Sequence, residues 1–416
     1  MKRPFLCTLL LCTSLLASAC TGAGGGPSAT PTISDTVQVG ADVLLARPLP
    51  LLTGKRAGLI TNQTGVARDG RSTIDVLAGA PGVQLVALFS PEHGIRGAAA
   101  PGERVASGVD ERTGLPIHSL YGDTRKPTPE MLRGIDVLVF DIQDIGARPY
   151  TYIYTMALGM EAARDAAIPF VVLDRPNPIG GRAVEGNLLD TAFATFVGLY
   201  PIPVRHGMTS GELAQMFNRE FGIGADLTVV PAQGWRRAMW GDETGQPWIP
   251  PSPNIPRLEA AIHYPGTVFF EGTNLSAGRG TSHPFEQTGA PWLRAGEVVS
   301  AMNEMGLPGV RFVAVEFTPR NPGDDKFADQ PLRGIRLILT DRETYRPVAT
   351  SLLLISSIRH LHPREFTWNV SHFDRLAGTD RLRLAIEAGE MAPLLREWES
   401  EAEAFVQARE PYLLYR

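Results

Sequence analysis

Cysteine is almost absent from this sequence: the 416 residues include three, and Cys7, Cys12 and Cys20 all lie near the N-terminus. The rest of the chain can therefore form no internal disulfide bond and offers no thiolate to a metal ion. Because nothing crosslinks it, its stability has to come from a hydrophobic core. With 44% hydrophobic residues and roughly 380 residues after the first 36, the chain is long enough for two domains.

Basic runs are also missing, and the formal net charge is −5. Proteins that bind nucleic acid need clustered positive charge, so we expect no nucleic-acid partner. No G-x-G-x-x-G follows an apolar strand, and the P-loop, H-E-x-x-H and G-x-S-x-G motifs do not occur. We therefore predict no nucleotide cofactor, no bound metal and no serine nucleophile elbow.

The N-terminus has the pattern of a bacterial lipoprotein leader. Lys2 and Arg3 precede a short apolar run that ends in small residues, so residues 1–19 are predicted to be a signal peptide, and Cys20 its lipidation site. Residues 20–36 are rich in Gly, Pro, Ser and Thr and predict a flexible tether. We expect an exported protein on the periplasmic or cell-envelope side, held to a membrane by a lipid anchor only. The alternative is an ordinary signal peptide with an incidental cysteine.

Four apolar segments in the first half each end in polar residues, and helix-like segments lie between them. The segments are residues 56–61, 83–89, 135–140 and 169–173. Continuous apolar strands that alternate with helices indicate a parallel sheet covered on both faces, which is an α/β fold. The composition changes after residue 200, so we assign residues 37–200 to one domain. Residues 201–416, which end in amphipathic helices, are assigned to a second α/β domain.

Polar side chains collect at the ends of these four strands. They are Asn62, Glu92, His93, Asp141, Asp144, Arg148, Asp174 and Asn177. Ligands of open α/β sheets bind outside the carboxyl ends of the strands. A single Asp or Asn there usually serves a turn, but four such endings together predict a polar cleft. Carboxylates dominate the set, which suits proton transfer and stabilisation of a developing cation.

The second half contains a Pro-rich and aromatic segment, residues 248–292, that includes Asn274, Ser276 and Arg279. Aromatic faces pack on the C–H faces of a pyranose, while amide and guanidinium groups bind its hydroxyl and acid groups. This composition predicts a sugar site. The alternative is a structural loop in which Pro and Gly only set turns.

The motifs of the chain resemble those of the NamZ-type exo-β-N-acetylmuramidases, in order and over nearly the whole sequence after the leader. They are residues 90–94 (SPEHG), 141–152 (DIQDIGARPYTY), 174–178 (DRPNP), 184–186 (VEG), 205–208 (RHGM), 252–255 (SPNI), 271–276 (EGTNLS), 278–281 (GRGT) and 412–415 (YLLY). The resemblance implies a Rossmann-like domain joined to a smaller α/β domain, with the active cleft between them. It also implies release of N-acetylmuramic acid from the non-reducing end of peptidoglycan fragments.

Glycoside hydrolysis usually needs a carboxylic acid that protonates the leaving oxygen and a second carboxylate opposite it. We predict that Glu92 is the acid, with His93 as the alternative acid or as the residue that orients Glu92. For the second carboxylate we rank Glu185 first, Asp141 next and Glu271 third. The 2-acetamido group of the substrate can instead act as internal nucleophile, and the carboxylate then only orients it.

Further residues are predicted to bind the substrate, a peptidoglycan-derived muramyl saccharide. Arg148 or Arg279 is expected to bind the lactyl carboxylate that distinguishes muramic acid from glucosamine. The other predicted contacts are Asn62, Asp144, Tyr152, Asn177, Asn254, Glu271 and Asn274. Two other functions stay open at this point: a lipoprotein that binds muropeptides without cleaving them, and a metal-dependent hydrolase that uses Asp141, Asp144 and His93.

Overall fold

A computed structural model of the protein describes residues 36–47, 50–97, 99 and 102–416. The predicted signal peptide, Cys20 and nearly all of the predicted tether lie outside the described residues. The described residues form one compact unit, and the predicted boundary after residue 200 stays a prediction. Within the described part of the chain, no helix combines the length and the apolar character needed to cross a membrane.

The described residues form twelve strands and ten α-helices. The strands are β1 (Lys55–Thr61), β2 (Val83–Ser90), β3 (Gly108–Val109), β4 (Pro116–Ser119), β5 (Val137–Asp141), β6 (Phe170–Leu173), β7 (Glu185–Leu188), β8 (Pro203–Arg205), β9 (Leu227–Val230), β10 (Gln287–Ala290), β11 (Val310–Phe317) and β12 (Leu332–Leu339). The helices are α1 (Gly40–Ala46), α2 (Thr73–Ala78), α3 (Tyr152–Asp165), α4 (Ser210–Glu220), α5 (Leu258–Thr267), α6 (Ala295–Glu304), α7 (Pro347–Leu361), α8 (Val370–Ala377), α9 (Arg381–Ala388) and α10 (Met391–Arg409).

Seven strands form the main sheet in the order β3-β4-β2-β1-β5-β6-β9. All neighbours in it are parallel except β3 and β4. The chain first builds one side of β1, out to β2 and β4, and then crosses to the other side with β5 and β6. The crevice where the order reverses, between the carboxyl ends of β1 and β5, is the usual ligand position in such sheets. The predicted mostly parallel, Rossmann-like α/β fold is confirmed.

The sheet forms because its strands can be buried on both faces. Every residue of β5 and β6 is buried, as expected for strands that read as continuous apolar runs. Helix α3 covers one face and α2 contacts β2. The spacing of Thr209 and Glu212 in the sequence predicts a capping box, and helix α4 begins with one. The Thr209 hydroxyl accepts from the Glu212 N–H, and the Glu212 carboxylate accepts from the Thr209 N–H.

The second half contains a smaller antiparallel sheet in the order β10-β12-β11. Strands β7 and β8, on either side of residue 200, form a separate antiparallel pair. Helices α5, α6 and α7 pack on one another and on this region. Helices α8, α9 and α10 account for the amphipathic C-terminal segment that the sequence predicts as helical. Apolar residues of both halves join one continuous core, so the two halves meet over a packed interface.

Candidate active site

A cavity of about 130 Å³ lies beyond the carboxyl end of β2 and is lined by both halves of the chain. Its polar and aromatic lining residues are Glu92, His93, Tyr121, Tyr150, Thr151, Tyr152, Ser252, Tyr264, Glu271, Arg279, Phe285 and His372. We call this cavity the Glu92 pocket. It brings together five of the predicted site residues: Glu92, His93, Tyr152, Glu271 and Arg279.

A larger cavity, of about 230 Å³, lies near the ends of β1 and β5 and is lined by Thr64, Gln143 and Trp248, among others. Its lining is mainly apolar, and its one acidic residue, Asp242, is paired with Arg342. The 248–255 segment contributes Trp248 to this cavity and Ser252 to the Glu92 pocket. We assign the chemistry to the smaller cavity, because it holds two carboxylates, Glu92 and Glu271, and glycoside hydrolysis usually needs such a pair.

Glu92 reaches the pocket from the turn that follows β2. Its two carboxylate oxygens accept from the Gly102 N–H at 2.9 Å and from the Thr151 hydroxyl at 3.2 Å. His93 beside it has a positive φ of 70°, a conformation that few non-glycine residues adopt and that is typical of functional turns. Its Nδ1 lies 2.9 Å from the Ala99 carbonyl oxygen. Because a carbonyl can only accept, Nδ1 carries the proton there.

Tyr121 is a pocket residue that the sequence analysis missed. It follows β4, a four-residue strand too short and too polar to stand out as a buried strand. Burial, the nearby Glu92 charge and a hydrogen bond with Glu92 raise the pKa of Tyr121 to about 12. The phenol therefore stays protonated at neutral pH and donates to the Glu92 carboxylate, as Thr151 does. Tyr121 and Thr151 together hold Glu92 in place.

The second carboxylate of the pocket is Glu271, which lies in a 3₁₀ turn, Val268–Gly272, after α5. The Arg279 Nε–H donates to Glu271 Oε1 at 2.6 Å, and the Arg279 guanidinium carbon lies 5.3 Å from the Phe285 ring centroid. Lys326 Nζ donates to the carbonyls of Glu271 and Thr273 at 2.9 and 2.7 Å. This lysine holds the turn that carries the carboxylate.

Aromatic rings build the remaining wall. The Tyr150 ring packs edge-on against Tyr152 at 5.1 Å and against Tyr264 at 5.6 Å between centroids. The Tyr152 hydroxyl donates to the Pro251 carbonyl at 2.6 Å, which attaches α3 to the Pro-rich segment. Interlocked rings have few accessible rotamers, so the wall is a preformed surface of the kind that binds a sugar face.

Asp144 and Asn62 lie close to the pocket but do not line it. Burial raises the pKa of Asp144 to about 7. One Asp144 oxygen accepts from the Gly146 N–H at 2.6 Å, and the other has no partner among the described residues. Asn62 Oδ1 accepts from the Thr64 N–H at 2.9 Å and from the Thr64 hydroxyl at 2.6 Å, while its Nδ2 has no hydrogen-bond partner among the described residues. Both residues support the pocket from beneath.

The structure corrects the expectation for Asp141, which it does not bring to the pocket. The side chain is fully buried, and Arg175 donates to both of its oxygens, from Nε at 2.5 Å and from Nη2 at 2.9 Å. The Thr73 hydroxyl donates to the same carboxylate. Asp141 therefore joins β5, α2 and the segment after β6, and it has no contact with a substrate in the Glu92 pocket.

Glu185 is also placed elsewhere. It lies at the start of β7, accepts from Arg205 Nη1 at 2.9 Å and from the Val348 N–H at 3.3 Å, and does not line the pocket. Burial raises the pKa of Glu185, against the lowering effect of the Arg205 charge. The structure thus removes the first two choices for the second carboxylate and leaves Glu271, the third.

Arg148 is corrected as well. The side chain is 0% exposed, and its guanidinium donates to backbone carbonyls, among them Asn187 at 2.8 Å and Ala377 at 2.6 Å. It therefore braces β7 against the end of α8 and cannot reach a lactyl carboxylate in the pocket. Of the two predicted arginines, only Arg279 lines the cavity.

Three predicted asparagines have different placements. Asn177 donates to the Met208 carbonyl and accepts from the Ile179 N–H, at 3.0 and 3.1 Å, so it shapes a turn. Asn274 bonds the backbone of residues 365 and 367 and ties that segment to the pocket turn. Asn254 is buried between two lining residues of the Pro-rich segment, and its contact with substrate stays a prediction.

Among the described residues, no group of three or more His, Cys, Asp or Glu side chains is placed to hold a metal ion. The set Asp141, Asp144 and His93 is not gathered, because Asp141 is paired with Arg175 and His93 lines the pocket that Asp141 does not reach. The residues present therefore do not form the metal centre of the alternative hydrolase.

The fold and the pocket define a class: an α/β enzyme with two carboxylates in an aromatic-walled cavity, the equipment of a glycoside hydrolase. The chain belongs to the NamZ exo-β-N-acetylmuramidase family, since residues 57–259 match the family's N-terminal model and residues 262–415 its C-terminal model. The resemblance found in the sequence is confirmed.

Relatives extend over the same region. The chain is 49% identical over 381 residues to the peptidoglycan β-N-acetylmuramidase NamZ of Bacillus subtilis, with 91% of each chain covered. Two crystal structures of DUF1343 family proteins from Bacteroides fragilis are also similar. One has a TM-score of 0.85 and 38% identity, covering 92% of this chain and 100% of its own. The other has a TM-score of 0.74 and 34% identity, covering 91% and 99%.

Proposed function

We propose that the protein is an exo-acting glycoside hydrolase that releases N-acetylmuramic acid from the non-reducing end of peptidoglycan fragments. The observation that carries this proposal is the presence of Glu92, Glu271 and Arg279 in one pocket of a NamZ-family chain. The name of the Bacillus subtilis relative supports the substrate class. Such an activity serves cell-wall turnover and recycling.

In the proposed mechanism Glu92 donates a proton to the leaving glycosidic oxygen. Tyr121 and Thr151 position its carboxyl group, so the proton is delivered from a fixed geometry. Glu271, held by Arg279, is the carboxylate that acts on the other side of the reacting carbon. It either stabilises the developing cation directly or orients the 2-acetamido group of the substrate for attack.

Arg279 is the residue that we propose to recognise the muramyl group. Its Nε–H and its Nη2 both face Glu271 Oε1, which leaves the N–H groups of Nη1 for the lactyl carboxylate. The salt bridge also fixes the guanidinium before substrate arrives, so less side-chain entropy is lost on binding. The Phe285 ring supports the guanidinium from one side.

Turnover of a chromogenic N-acetylmuramide by the purified protein tests the proposal. We expect release of the chromophore by the full chain and its loss in Glu92→Gln, with Glu316→Gln, an exposed glutamate on β11, as the matched control. A muropeptide-binding protein without catalysis would bind the sugar in calorimetry but release no chromophore. That result would overturn the proposed hydrolase.

We propose separately that a lipid on Cys20 anchors the protein to a membrane. The support is the sequence pattern of residues 1–19 and the Gly-rich segment after them. Several acyl chains on one cysteine suffice for stable attachment, because each buried methylene contributes about 0.8 kcal/mol. We expect Cys20→Ser to move the protein from the membrane fraction to the soluble fraction, whereas Cys12→Ser should not. Unchanged membrane association of Cys20→Ser would contradict the anchor.

A further inference from the structure

A second polar cavity, of about 260 Å³, lies apart from the Glu92 pocket and is unusually rich in arginine. Its lining, among the described residues, includes five arginines and one tryptophan: Arg182, Arg205, Arg237, Arg342, Arg346 and Trp240. We call it the arginine cavity. Its lining residues come from the segment after β6, from β8, from the segment before α5 and from the turn before α7. Nothing in the proposed hydrolysis uses it.

Three of the five guanidinium groups have a carboxylate partner. The pairs are Arg205–Glu185, Arg237–Glu212 and Arg342–Asp242, at 2.9, 2.7 and 2.8 Å. Arg182 and Arg346 form no ion pair with any residue that the structure describes. Arg346 donates to two backbone carbonyls, those of Glu343 and Tyr345. Both side chains are exposed at the rim, so the entrance of the cavity carries two cations that form no ion pair within the described residues.

The floor of the cavity contains an unused hydrogen-bond donor. Arg205 is 2% exposed. Its Nη1 and Nη2 donate to Glu185 and to the Ile179 carbonyl, but its Nε–H has no partner within the described part of the chain. A buried charged group with an unsatisfied N–H is unfavourable, so this donor is an independent indication that an acceptor from outside the chain belongs here.

The walls favour a compact and negatively charged ligand. The guanidinium carbons of Arg205 and Arg342 lie 5.6 and 5.1 Å from the Trp240 ring centroid, which keeps both side chains in place. Helix α7 begins directly after Arg346, so the positive end of its dipole lies at the same entrance. The one acidic lining residue, Glu343, accepts from the Trp240 Nε1–H at 2.5 Å, which directs its carboxylate to the indole.

We propose that the arginine cavity binds a small oxyanion, a phosphate or a group of carboxylates. Planar guanidinium forks match the oxygen geometry of both, and the cavity has room for such a group with a few attached atoms. Arg205 of the arginine cavity forms an isolated antiparallel β-bridge with Ala147. Residues 149–152, shortly after Ala147 in the chain, line the Glu92 pocket. The backbone therefore connects the two cavities. The binding function goes beyond the proposed hydrolysis.

Titration of the full chain with sodium phosphate and, separately, with sodium citrate tests this inference. The unfolding temperature is followed at constant ionic strength, with sodium chloride as the compensating salt. A ligand that binds only the folded state raises the unfolding temperature along a saturable curve, so we expect saturation with at least one of the two anions and none with chloride. Calorimetry gives the dissociation constant for each anion. The anion with the lower constant shows whether the cavity prefers a phosphate or a group of carboxylates.

The variant Arg182→Gln/Arg346→Gln should weaken that binding about tenfold or more, because it removes two charged donors. Arg311→Gln/Arg364→Gln is the matched control, since both residues are exposed and unpaired within the described chain. It should bind the anion as the wild type does. If the double variant unfolds, the same titration is done on Arg182→Gln alone. This single substitution removes no side-chain hydrogen bond of the described structure, so we expect it to fold.

Two results would overturn the proposal: no saturable effect of either anion, or the same dissociation constant in wild type and in the rim variants. Muramide turnover, measured in a buffer without phosphate or citrate, should be unchanged in Arg182→Gln. The two readouts are separate, so a protein that binds the anion but lacks hydrolase activity would overturn the proposed function and leave the arginine cavity in place.

Discussion

The carboxylates of the Glu92 pocket and the two predicted carboxylates outside it come from similar sequence, a polar motif at one end of a strand or in a tight turn. Glu92 and Glu271 line a cavity, although Thr151 donates to Glu92 and Arg279 donates to Glu271. Asp141 and Glu185 are enclosed, and each is paired with a buried arginine. The comparison shows that a strand-end carboxylate is available for chemistry only where the packing leaves one of its sides open.

The two sets also differ in what their loss should do. Removing one partner of a buried ion pair leaves an uncompensated charge in a medium of low dielectric constant, which mainly costs folding free energy. Removing a carboxylate that faces a cavity leaves the fold intact and mainly costs transition-state stabilisation. Stability and turnover, measured on the same variants, therefore separate the two sets.

The largest expected effect is on stability. Asp141→Asn should lower the free energy of unfolding by about 3–5 kcal/mol, because it leaves Arg175 buried without its counter-charge. Urea denaturation measures this, and the turnover of the folded fraction should stay near that of the wild type. If Asp141→Asn were as stable as the wild type but had no turnover, Asp141 would have a catalytic role. The distinction between pocket carboxylates and buried, paired carboxylates would then be wrong.

Asp144, a buried carboxyl group without an arginine partner among the described residues, should make the free energy of unfolding depend on pH. Burial holds its folded-state pKa at about 7, against roughly 3.9 when unfolded. Between these values the native state keeps a proton that the unfolded state has lost, so this group makes the free energy of unfolding fall as pH rises, by roughly 4 kcal/mol at most. In Asp144→Asn the amide oxygen can still accept from the Gly146 N–H, but the side chain no longer titrates. We therefore expect the unfolding free energy of this variant to fall less steeply with rising pH.

Urea unfolding at a series of pH values from about 4.5 to 8 measures the effect of Asp144. Asp226→Asn, at an exposed position, is the matched control and should keep the wild-type slope. If Asp144→Asn kept the same slope as well, the carboxyl group would be ionised in the native state throughout this range, and its burial would need another explanation.

Glu92→Gln should lower kcat by about 100-fold or more, the usual scale for loss of a general acid, while the unfolding free energy changes little. The amide keeps the volume: its oxygen can still accept from the Gly102 N–H, and its NH2 group can donate to the Thr151 hydroxyl oxygen, which reverses that hydrogen bond. It has no proton of the required acidity. Steady-state kinetics on a muramide gives the result. Should His93→Ala alone abolish activity while Glu92→Gln remains active, the acid is the histidine.

The smallest expected effect concerns specificity. Arg279→Met should narrow the ratio of kcat/KM for muramide over glucosaminide about ten- to a hundredfold, the contribution of one charged hydrogen-bonded pair. Arg148→Met should instead lower the unfolding free energy and leave the ratio unchanged, because Arg148 donates to carbonyls far from solvent. An unchanged ratio in Arg279→Met would assign the discrimination to pocket shape.

The sequence by itself determined the features that neighbouring residues encode. Apolar strands between helices predicted the parallel sheet, and the Thr209-to-Glu212 spacing predicted the capping box that begins α4. The sequence motifs identified the family. The turn after β2 predicted that Glu92 lies in a polar cleft, and Glu92 does line the pocket. These features follow from local chain geometry and from the burial of continuous apolar runs, so a short window of residues contains what they need.

Only the tertiary structure decided which of the predicted polar residues line the pocket. Asp141 meets Arg175 from 34 positions away, and Arg148 meets carbonyls at the end of α8 from more than 200 positions away; no local pattern contains either contact. Tyr121 reaches Glu92 because β4 pairs with β2. Glu271 and Arg279 come from the second half. Whether a charge is neutralised in the interior or left facing a cavity depends on long-range packing, because desolvation and pairing are set by the neighbours in space.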